Sequence, residues 1–458
     1  PKPQNPETLK LFLKIKIVIF ILDIQMYKSI LVILTLLSSI SAHSIFDFGA
    51  ITQGKEATVA QEKENSRALQ EAMKAANSSE TDKVVEIPAG AVISLMPCYF
   101  KQLTGVELHI EGTLLQTLNY ASYPYGNNGF DQFDALLHFE GSHHITVAGN
   151  GTIDGQGYMF WVREILGKNG HDRPYILEFQ RSTHLELYGL MVKNSPYYHI
   201  VPNDCAHIYM HDFEIYVDVW GQMELHNLFG NKYDKEVEDI NGWKVELPIF
   251  PLNTDGIDIF AYNATFRNIK ITNFDDGIVP KPCNRSYEIC TCAQDILVED
   301  IETTFSIGMT IGSVPPATTH ACIKNVLFRN VKMDRPIKGI YLKSNPGDVG
   351  DGEIRNITYE NFVMDEPVWW AIYIGPQQQV QPHGFDAGCP FTYPIKAHCP
   401  TNPLITFADI TLRNITTSNN WFPAGVIRCN STNPCKNFVF DNVNVRSPLW
   451  DTLGIGYI

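Results

Sequence analysis

The residues with the clearest capacity for chemistry are three aspartates in two short runs that end in glycine. Residues 253–256 read Asn-Thr-Asp-Gly and residues 274–277 read Phe-Asp-Asp-Gly, so Asp255 precedes Asp275 by 20 residues and Asp276 by 21. If the runs lie on adjoining turns of a repeating chain, the three carboxylates share one patch. When carboxylates lie this close together, their mutual repulsion raises the pKa of at least one of them. A protonated carboxyl beside an ionised one can then hydrolyse a glycosidic bond.

The same aspartates fit two other interpretations. Aspartate before glycine commonly stabilises a turn, and clustered carboxylate oxygens also bind calcium. The residue types alone leave the turn and the acid–base roles equally open. The elements around the two runs must therefore decide whether the carboxylates meet.

Those elements are a series of similar strand-like segments in which apolar and polar residues alternate. We align one apolar residue of each segment, Leu185 with Ile208 and then Ile269 with Ile296, Val326 and Ile357. The steps are 23 residues for the first pair and 27, 30 and 31 for the others. One strand per period of this length, with no helix in the repeat, predicts an all-β, single-domain solenoid, a parallel β-helix. Coils of such a fold stack about 4.8 Å apart, which would place Asp255 against Asp275 and Asp276.

One segment near the start has helical periodicity. With Ser66 as the N-cap, Leu69, Ala72, Met73 and Ala76 share one face. We predict a short helix that caps the N-terminal end of the solenoid.

Two segments interrupt the repeat, at 218–250 and 377–403. We predict that they form long loops on one face, where binding residues are commonly found. Walls at the ends of a cleft would favour removal of terminal sugars over internal cleavage.

The first 42 residues are interpreted as lying outside the folded domain. Because the first methionine is Met26, residues 1–25 are interpreted as upstream read-through. Residues 26–42 read as a secretory signal peptide, with Lys28, an apolar run and small residues up to Ala42. A membrane anchor is the alternative, but the run is shorter than the roughly 20 apolar residues that a span needs. Residues 43–458 then form the β-helix catalytic domain.

The net charge and the cysteine content limit the kinds of partner and the cellular compartment that the sequence predicts. The formal net charge of −15 argues against nucleic acid or an anionic membrane as the partner. Ten cysteines in a secreted chain predict disulfides, with a zinc site at 283–292 as the weaker alternative. Seven Asn-X-Ser/Thr sequons favour an extracellular glycoprotein; they begin at Asn77, Asn150, Asn263, Asn284, Asn356, Asn414 and Asn430.

The two aspartate runs resemble motifs of a known family, the family-28 glycoside hydrolases, which include the polygalacturonases. The resemblance includes Lys281 after the second run and the Asn-Ser-Pro-Tyr-Tyr run at 194–198. The stretches at 46–50, 87–90, 110–114 and 149–157 are similar to the N-terminal coils of the family. The resemblance therefore covers most of the chain, from about residue 46 to about residue 450.

The resemblance implies a right-handed parallel β-helix that hydrolyses with inversion and needs no cofactor or metal. By this match, Asp275 is the general acid that protonates the leaving oxygen, while Asp255 and Asp276 activate water. An inverting pair is expected to stand roughly 6.5–9.5 Å apart. The substrate-binding residues implied by the match are Asn253, Lys281, Tyr341 and Lys343.

Two positions depart from the family pattern. The usual Gly-His-Gly reads Ser-Ile-Gly here, with Ile307 in place of histidine, and the usual Arg-Ile-Lys reads Tyr-Leu-Lys at 341–343. Tyr341 cannot supply the charge-assisted, bidentate recognition of a carboxylate that an arginine gives. Preference for plain polygalacturonate is therefore not implied, and rhamnogalacturonan and xylogalacturonan stay open.

Three further residues are considered as candidates for contact with a sugar. Trp370 and Tyr373 are candidates for stacking on a sugar, although an aromatic residue in a β-helix strand is more often core. For His199, next to the Tyr-Tyr pair, a structural role is the safer interpretation.

The leading hypothesis is a secreted, monomeric glycosidase that acts on a pectic or other acidic polysaccharide. A catalytically silent, glycan-binding β-helix is the alternative, because of the missing histidine and arginine. A calcium-dependent lyase on the same architecture is a third hypothesis, less favoured because the motifs are those of hydrolases.

Overall fold

The computed structural model describes residues 42–52, 54, 57–124, 133–167, 173–221, 250–283, 288–314, 320–346, 350–378, 388–390, 393 and 398–447. The read-through of 1–25 and nearly all of the signal peptide lie outside these ranges. So do most of the two predicted wall loops, namely 222–249, 379–387, 391–392 and 394–397. Every helix in the described ranges is too short or too polar to cross a membrane.

Twenty-four strands in the described ranges form one continuous sheet, in which they pair in parallel. In chain order they are β1 (Ala42–Ser44), β2 (Val84–Ile87), β3 (Val92–Leu95), β4 (Cys98–Lys101), β5 (Glu107–Ile110), β6 (Thr113–Gln116), β7 (Leu137–Glu140), β8 (His143–Ala148), β9 (Thr152–Asp154), β10 (Leu177–Gln180), β11 (Thr183–Tyr188), β12 (Met191–Lys193), β13 (Ile200–Tyr216), β14 (Ile257–Thr272), β15 (Asp276–Pro280), β16 (Ala293–Thr304), β17 (Gly308–Val314), β18 (Ala321–Asp334), β19 (Ile340–Ser344), β20 (Gly352–Asp365), β21 (Ile372–Pro376), β22 (Ile405–Ser418), β23 (Gly425–Ile427) and β24 (Lys436–Val445).

The pairing pattern is that of a parallel β-helix. Strands of successive coils stack in columns, and one column runs from β14 through β15, β17, β19 and β21 to β23. A second column runs from β14 through β16, β18, β20 and β22 to β24. The all-β solenoid predicted from the repeat is confirmed.

The predicted alignment of coils is correct except at one step. Leu185 pairs with Ile208, and Ile296 pairs with Val326, as the spacing predicts. Ile269, however, pairs with Ile301 and not with Ile296. An Asn or Asp in the left-handed backbone region recurs twice per coil, five residues apart, as at Asn325 and Asn330. The predicted alignment therefore matched Ile269, which follows the second such position of its coil, with Ile296, which follows the first such position of the next coil.

The core lies inside the coils and is built from stacked apolar side chains. Inward residues such as Ile145, Leu187, Met210 and Phe266 are fully buried. Burying a side chain of this kind contributes about 1.5–3 kcal/mol relative to leaving it in water. Because each coil repeats the same inward positions, the core continues along the solenoid.

The N-terminal helix is longer than predicted. Helix α1 (Val59–Ser78) begins after Thr58, whose side chain accepts a hydrogen bond from the Gln61 N–H in a reciprocal capping box. Ser66 is not the N-cap but lies inside the helix, where its hydroxyl donates to the carbonyl of Met96. The predicted apolar face is confirmed, since Leu69, Ala72, Met73 and Ala76 are all buried. A second helix, α2 (Tyr158–Ile165), was not predicted.

Eight of the ten cysteines form disulfides, which confirms the prediction in part. The pairs are Cys283–Cys290, Cys292–Cys322, Cys389–Cys399 and Cys429–Cys435. The zinc alternative at 283–292 is wrong, because the three cysteines there are bonded in the first two pairs. In the described part of the chain, Cys98 and Cys205 are buried as free thiols.

Candidate active site

The two aspartate runs lie on adjoining coils, as their spacing predicts. Ile257 of β14 pairs with Ile278 of β15, and the N–H of Gly256 donates to the carbonyl of Asp276 at 2.9 Å. A Cβ atom on Gly256 would lie only 2.2 Å from the carbonyl oxygen of Gly277. The glycine after Asp255 is therefore required by the close approach of the two coils.

The three carboxylates form one cluster. One oxygen from each of Asp255, Asp275 and Asp276 lies within 4.8 Å of the others. Asp255 and Asp276 are only 2% and 1% exposed, whereas Asp275 is partly exposed. Asp275 is thus the carboxyl most open to a bound ligand.

Asp275 and Asp276 are each held by specific donors. The backbone N–H of Asn253 donates to Asp275 Oδ2 at 2.9 Å. The hydroxyl of Thr310, on β17, donates to Asp276 Oδ1 at 2.8 Å, and Lys343 Nζ lies 2.5 Å from Asp276 Oδ2. Asp276 is therefore bound by two side chains from the next two coils.

Lys281, predicted to bind substrate, lies among the carboxylates. Its Nζ is 3.2 Å from Asp258, 3.6 Å from Asp276 and 3.9 Å from Asp255. Asp258 is a fourth carboxyl that the sequence interpretation missed, and it is fully buried. Alternate residues of a strand face opposite sides, so an aspartate between the buried Ile257 and Ile259 faces away from the core. This position was the available signal for a further carboxyl on the outer face of the strand.

The four carboxyls differ in their tendency to ionise. Burial raises the pKa of Asp255 well above its usual range, and Asp275 raises it further. Burial and the charge of Asp276 raise the pKa of Asp275, against the opposing effect of Lys343. Burial acts in the same direction on Asp276, but Lys343 and Lys281 outweigh it and hold the pKa of Asp276 below its usual range.

This pattern favours one ionised carboxylate beside protonated neighbours. Asp276 is the ionised group, while Asp255 and Asp275 both favour the protonated form. The arrangement supplies a proton donor and a proton acceptor side by side, as acid–base hydrolysis requires. It fits the roles predicted for Asp275 and Asp276 better than the base role predicted for Asp255.

The carboxylate spacing is shorter than expected. An inverting pair typically stands roughly 6.5–9.5 Å apart, whereas the nearest oxygens here are within 4.8 Å. The spacing alone therefore does not support inversion.

The other predicted binding residues lie at the edge of the cluster. Lys343 reaches Asp276, and Tyr341 on the same strand β19 is 3% exposed, with its hydroxyl accepting from the N–H of Gln378 at 3.1 Å. The side chain of Asn253 accepts from Arg173 Nη2 at 2.7 Å. Arg173, which no local motif indicates, thus orients Asn253 from 80 residues away in sequence.

Ile307 contacts the cluster through its backbone. Its N–H donates to the carbonyl of Asp275 at 2.7 Å. Its side chain packs against an apolar cluster that contains Tyr341, Trp370 and Tyr373. The position of the usual histidine therefore helps to form an apolar wall beside the carboxylates.

Trp370, Tyr373 and His199, which the sequence analysis considered as contacts to a sugar, are all buried. Tyr373 is fully buried and donates its hydroxyl to the carbonyl of Pro376, and Trp370 is 5% exposed. Both positions favour packing over stacking on a sugar. His199 is fully buried, with Nδ1 2.9 Å from the carbonyl of Asp255 and Nε2 accepting from the N–H of Ser195. These contacts fit the structural role expected of His199.

The carboxylate oxygens also have the types and spacing of a cation site. Two ammonium groups already occupy their surroundings, since Lys343 and Lys281 lie 2.5 Å and 3.6 Å from the same oxygen of Asp276. A divalent cation there would be repelled by both lysines. The donor set therefore fits the calcium alternative poorly.

Comparison with known proteins decides the family. The family model described as "Glycosyl hydrolases family 28" matches residues 78–453. This chain belongs to glycoside hydrolase family 28. Membership makes it a glycosidase that hydrolyses O-glycosyl bonds, and the three aspartates lie within the matched region.

Individual relatives are distant. The chain is 26% identical over 366 residues to an exopolygalacturonase of Cochliobolus carbonum, which covers 76% of this chain and 70% of that protein. It is 26% identical over 302 residues to a protein of Aspergillus flavus named "Probable endo-xylogalacturonan hydrolase A", which covers 65% of this chain and 64% of the relative. The chain thus spans a little under two thirds of that relative.

The structure resembles that of the endo-xylogalacturonan hydrolase from Aspergillus tubingensis. The TM-score is 0.65 at 18% identity, and the match covers 89% of this chain and 94% of the other. At this identity the likeness concerns the fold. The right-handed parallel β-helix implied by the family motifs is confirmed.

Proposed function

We propose that this family-28 protein is a secreted hydrolase of pectic, galacturonate-containing polysaccharide and that it cleaves with inversion. The observation that carries the proposal is the buried cluster of Asp255, Asp275 and Asp276, in which neighbouring carboxyls favour opposite protonation states. Asp275, the most exposed of the three, is best placed to meet the glycosidic oxygen.

The proposed reaction uses one water and no external reductant or oxidant. The Asp275 carboxyl donates its proton to the glycosidic oxygen as the bond from that oxygen to the anomeric carbon breaks. A water forms the new bond to the anomeric carbon and gives a proton to Asp276. Proton exchange with solvent then restores the protonated Asp275 and the ionised Asp276. Asp255, with its raised pKa, serves to hold the water by hydrogen bonding rather than to remove its proton.

The proposal of an acidic substrate is supported by local charge. The chain as a whole carries a formal net charge of −15, which disfavours anionic partners in general. Three lysines nevertheless converge on the cluster, and they are Lys281, Lys338 and Lys343. These lysines give the site a local positive charge that can bind a uronic acid despite the negative charge of the whole chain.

The proposal of secretion is supported by the disulfides and by the glycosylation sequons. Four disulfides are typical of an oxidising compartment. Of the seven sequons, Asn284 lies outside the described residues, and the other six are at least partly exposed. We propose a monomeric, extracellular glycoprotein that is free of the membrane and has no nucleic-acid partner.

The experiment that tests the proposed function measures new reducing ends. Secreted wild-type protein is incubated with polygalacturonate, rhamnogalacturonan and xylogalacturonan beside the Asp275→Asn variant. Release by the wild type that the variant lacks would support the proposal and identify the backbone that is cleaved. Binding without release from any of the three, by folded protein, would overturn it in favour of a silent glycan-binding β-helix.

Inversion is tested separately. Proton NMR of the first product, recorded before the anomers equilibrate, distinguishes the α from the β configuration. We expect the product anomer opposite to that of the cleaved bond. Retention would contradict the inversion proposal and would agree with the short carboxylate spacing. Unsaturated products that absorb in the ultraviolet would instead indicate the lyase.

A further inference from the structure

A third lysine lies near the carboxylates, at a position that the sequence motifs do not mark. Lys338 is two residues before β19, and it is 3% exposed. Its Nζ is 4.2 Å from the centre of the Tyr341 ring and 5.8 Å from that of Tyr373. Its burial is similar to that of Lys343, which is 5% exposed. The two ammonium groups therefore lie at about the same depth as the carboxylates.

The Tyr341 ring is shared by the two lysines. Lys343 Nζ lies 5.1 Å from its centre, and Lys338 Nζ lies 4.2 Å from it. The ring is held in place, because its hydroxyl accepts from the Gln378 N–H and its edge packs against Tyr373. The negative face of an aromatic ring attracts an ammonium ion. Tyr341 thus keeps two like charges close to each other.

The surroundings strengthen any anion contact made there. Tyr341 belongs to a buried apolar cluster with Trp370, and Ile307 packs against it. A charge pair in such a poorly hydrated setting is stronger than one at an exposed surface. The ionised Asp276 engages Lys343 directly at 2.5 Å. Lys338, beyond the ring, is a second cation in the same neighbourhood.

We propose that Lys338 is a specificity-determining residue, which together with Lys343 binds the carboxylate of a uronic acid in the substrate. This inference rests on the proposed function, since it names the group that recognises the acidic sugar. Two ammonium groups around one ring form a concentrated positive site. A carboxylate bound there would lie beside Asp275 and would position the adjoining glycosidic bond for protonation.

The test compares charged and neutral forms of one polymer. The variants are Lys338→Met and Lys338→Arg, with Lys332→Met as the matched control, because the side chain of Lys332 is 74% exposed on strand β18. The substrates are polygalacturonate, or xylogalacturonan if only that is cleaved, and the methyl ester of the same polymer. Esterification removes the charge and keeps the sugar.

We expect Lys338→Met to lower kcat/KM on the free acid by about 10- to 100-fold, the worth of a charge-assisted hydrogen bond. The loss on the methyl ester should be less than about threefold, and Lys338→Arg should recover most of the activity on the acid. Equal loss on both substrates would assign Lys338 a structural role and overturn the inference. No loss on either would do the same. Lys332→Met should match the wild type.

A second measurement uses only the wild-type protein, so it does not depend on the folding of a variant. Galacturonate and galactose are compared as inhibitors between pH 5 and 9. Burial and Lys343 lower the pKa of Lys338 to about 7, against the effect of Asp276 and Asp275; Tyr341 and Tyr373 also face it. Inhibition by galacturonate should therefore weaken as the pH rises above 7, and inhibition by galactose should not. Equal pH dependence for the two sugars would overturn the inference.

The outcomes separate the inference from the proposed function. A wild type that hydrolyses the acidic polymer while Lys338→Met does so equally well would overturn the role of Lys338 alone. A wild type that releases no reducing ends from any pectic glycan would overturn the proposed function.

Discussion

Two regions of the molecule use the same stacking of coils for opposite purposes. On one outer turn, a row of side chains that we call the amide ladder consists of Asp300, Asn330, Asn361, Asn414 and Asn442. Each asparagine Nδ2 donates to the side-chain oxygen of the preceding coil at 3.0 Å. In the carboxylate cluster, stacking brings together groups that only accept hydrogen bonds when ionised.

The difference between the two regions lies in burial and charge. Asp300 is half-buried and the four asparagines of the amide ladder are exposed. Each member except the last accepts a hydrogen bond from the next one. The cluster is largely buried, so its ionised member, Asp276, depends on Lys281, Lys343 and Thr310. Stacking by itself therefore indicates structure, and only stacked, buried like charges indicate chemistry.

The largest loss of activity is expected from a substitution that disrupts the carboxylate cluster and leaves the amide ladder intact. Asp276→Asn removes the ionised carboxylate and leaves Lys343 without its 2.5 Å partner. We expect kcat to fall by about 10²–10⁴-fold, the usual contribution of a proton acceptor. Initial rates on the best pectic substrate measure this.

The matched control for that variant is Asp300→Asn in the amide ladder. The substitution replaces the carboxylate by an amide on a side chain that is 41% exposed, so the rate should stay within about twofold of the wild type, as for a neutral surface change. A comparable loss in both variants would contradict the division of roles between the two regions.

A second prediction concerns the pH dependence of stability. Burial and Asp276 raise the pKa of Asp258 to about 6, against the effect of Lys281. Because the folded-state pKa is above the unfolded value, the stabilisation from the protonated form is complete below pH 4 and is lost as the pH rises through 6. Asp258→Asn should avoid that loss, which is about 3 kcal/mol at most.

Thermal unfolding at pH 4 and pH 7 measures this difference. The melting temperature of Asp258→Asn, relative to wild type, should be higher at pH 7 than at pH 4. An equal offset at both pH values would show that Asp258 keeps its ordinary acidity in the folded protein.

A third prediction breaks the amide ladder. Asn361 has a φ of 59° and makes ladder bonds to both Asn330 and Asn414. Asn361→Ala removes both bonds and adds left-handed strain, so we expect a loss of about 1–3 kcal/mol in the free energy of unfolding. Asn361→Gly also removes the bonds but tolerates the backbone, and should lose less. Neither variant should change kcat; a fall in kcat would connect the ladder to the site.

The smallest expected effect is that of metal removal. The lysines around Asp276 leave no favourable place for a divalent cation, so hydrolysis should be unchanged in a chelator and on adding calcium back. Loss of activity with the chelator and recovery with calcium would contradict this and favour the lyase.

The comparison also explains what the sequence could predict. The repeat predicted the β-helix, and the 20- and 21-residue steps predicted the meeting of Asp255 with Asp275 and Asp276. The two Asn or Asp positions in each coil produced the wrong register at Ile269, since their local sequences are alike.

Residues that act across the fold were harder to predict. Arg173 reaches Asn253 only because distant coils meet, and Lys338 lies in a turn before its strand. The family motif shows only that Tyr341 replaces an arginine, and it does not mark Lys338, which is buried 4.2 Å from the centre of the Tyr341 ring. The capping box that begins at Thr58 was visible in the sequence, but the first turns of α1 are too polar to show a helical apolar face.

The central claim is that a carboxyl of the buried cluster stays protonated beside an ionised one. Carbon-13 NMR titration of protein labelled at the aspartate carboxyls, in wild type and in Asp275→Asn, tests it most directly. We predict at least one aspartate that titrates well above the usual range and is lost or shifted in the variant, while Asp276, assigned with Asp276→Asn, ionises below its usual range. Ordinary titration of every aspartate would contradict the account.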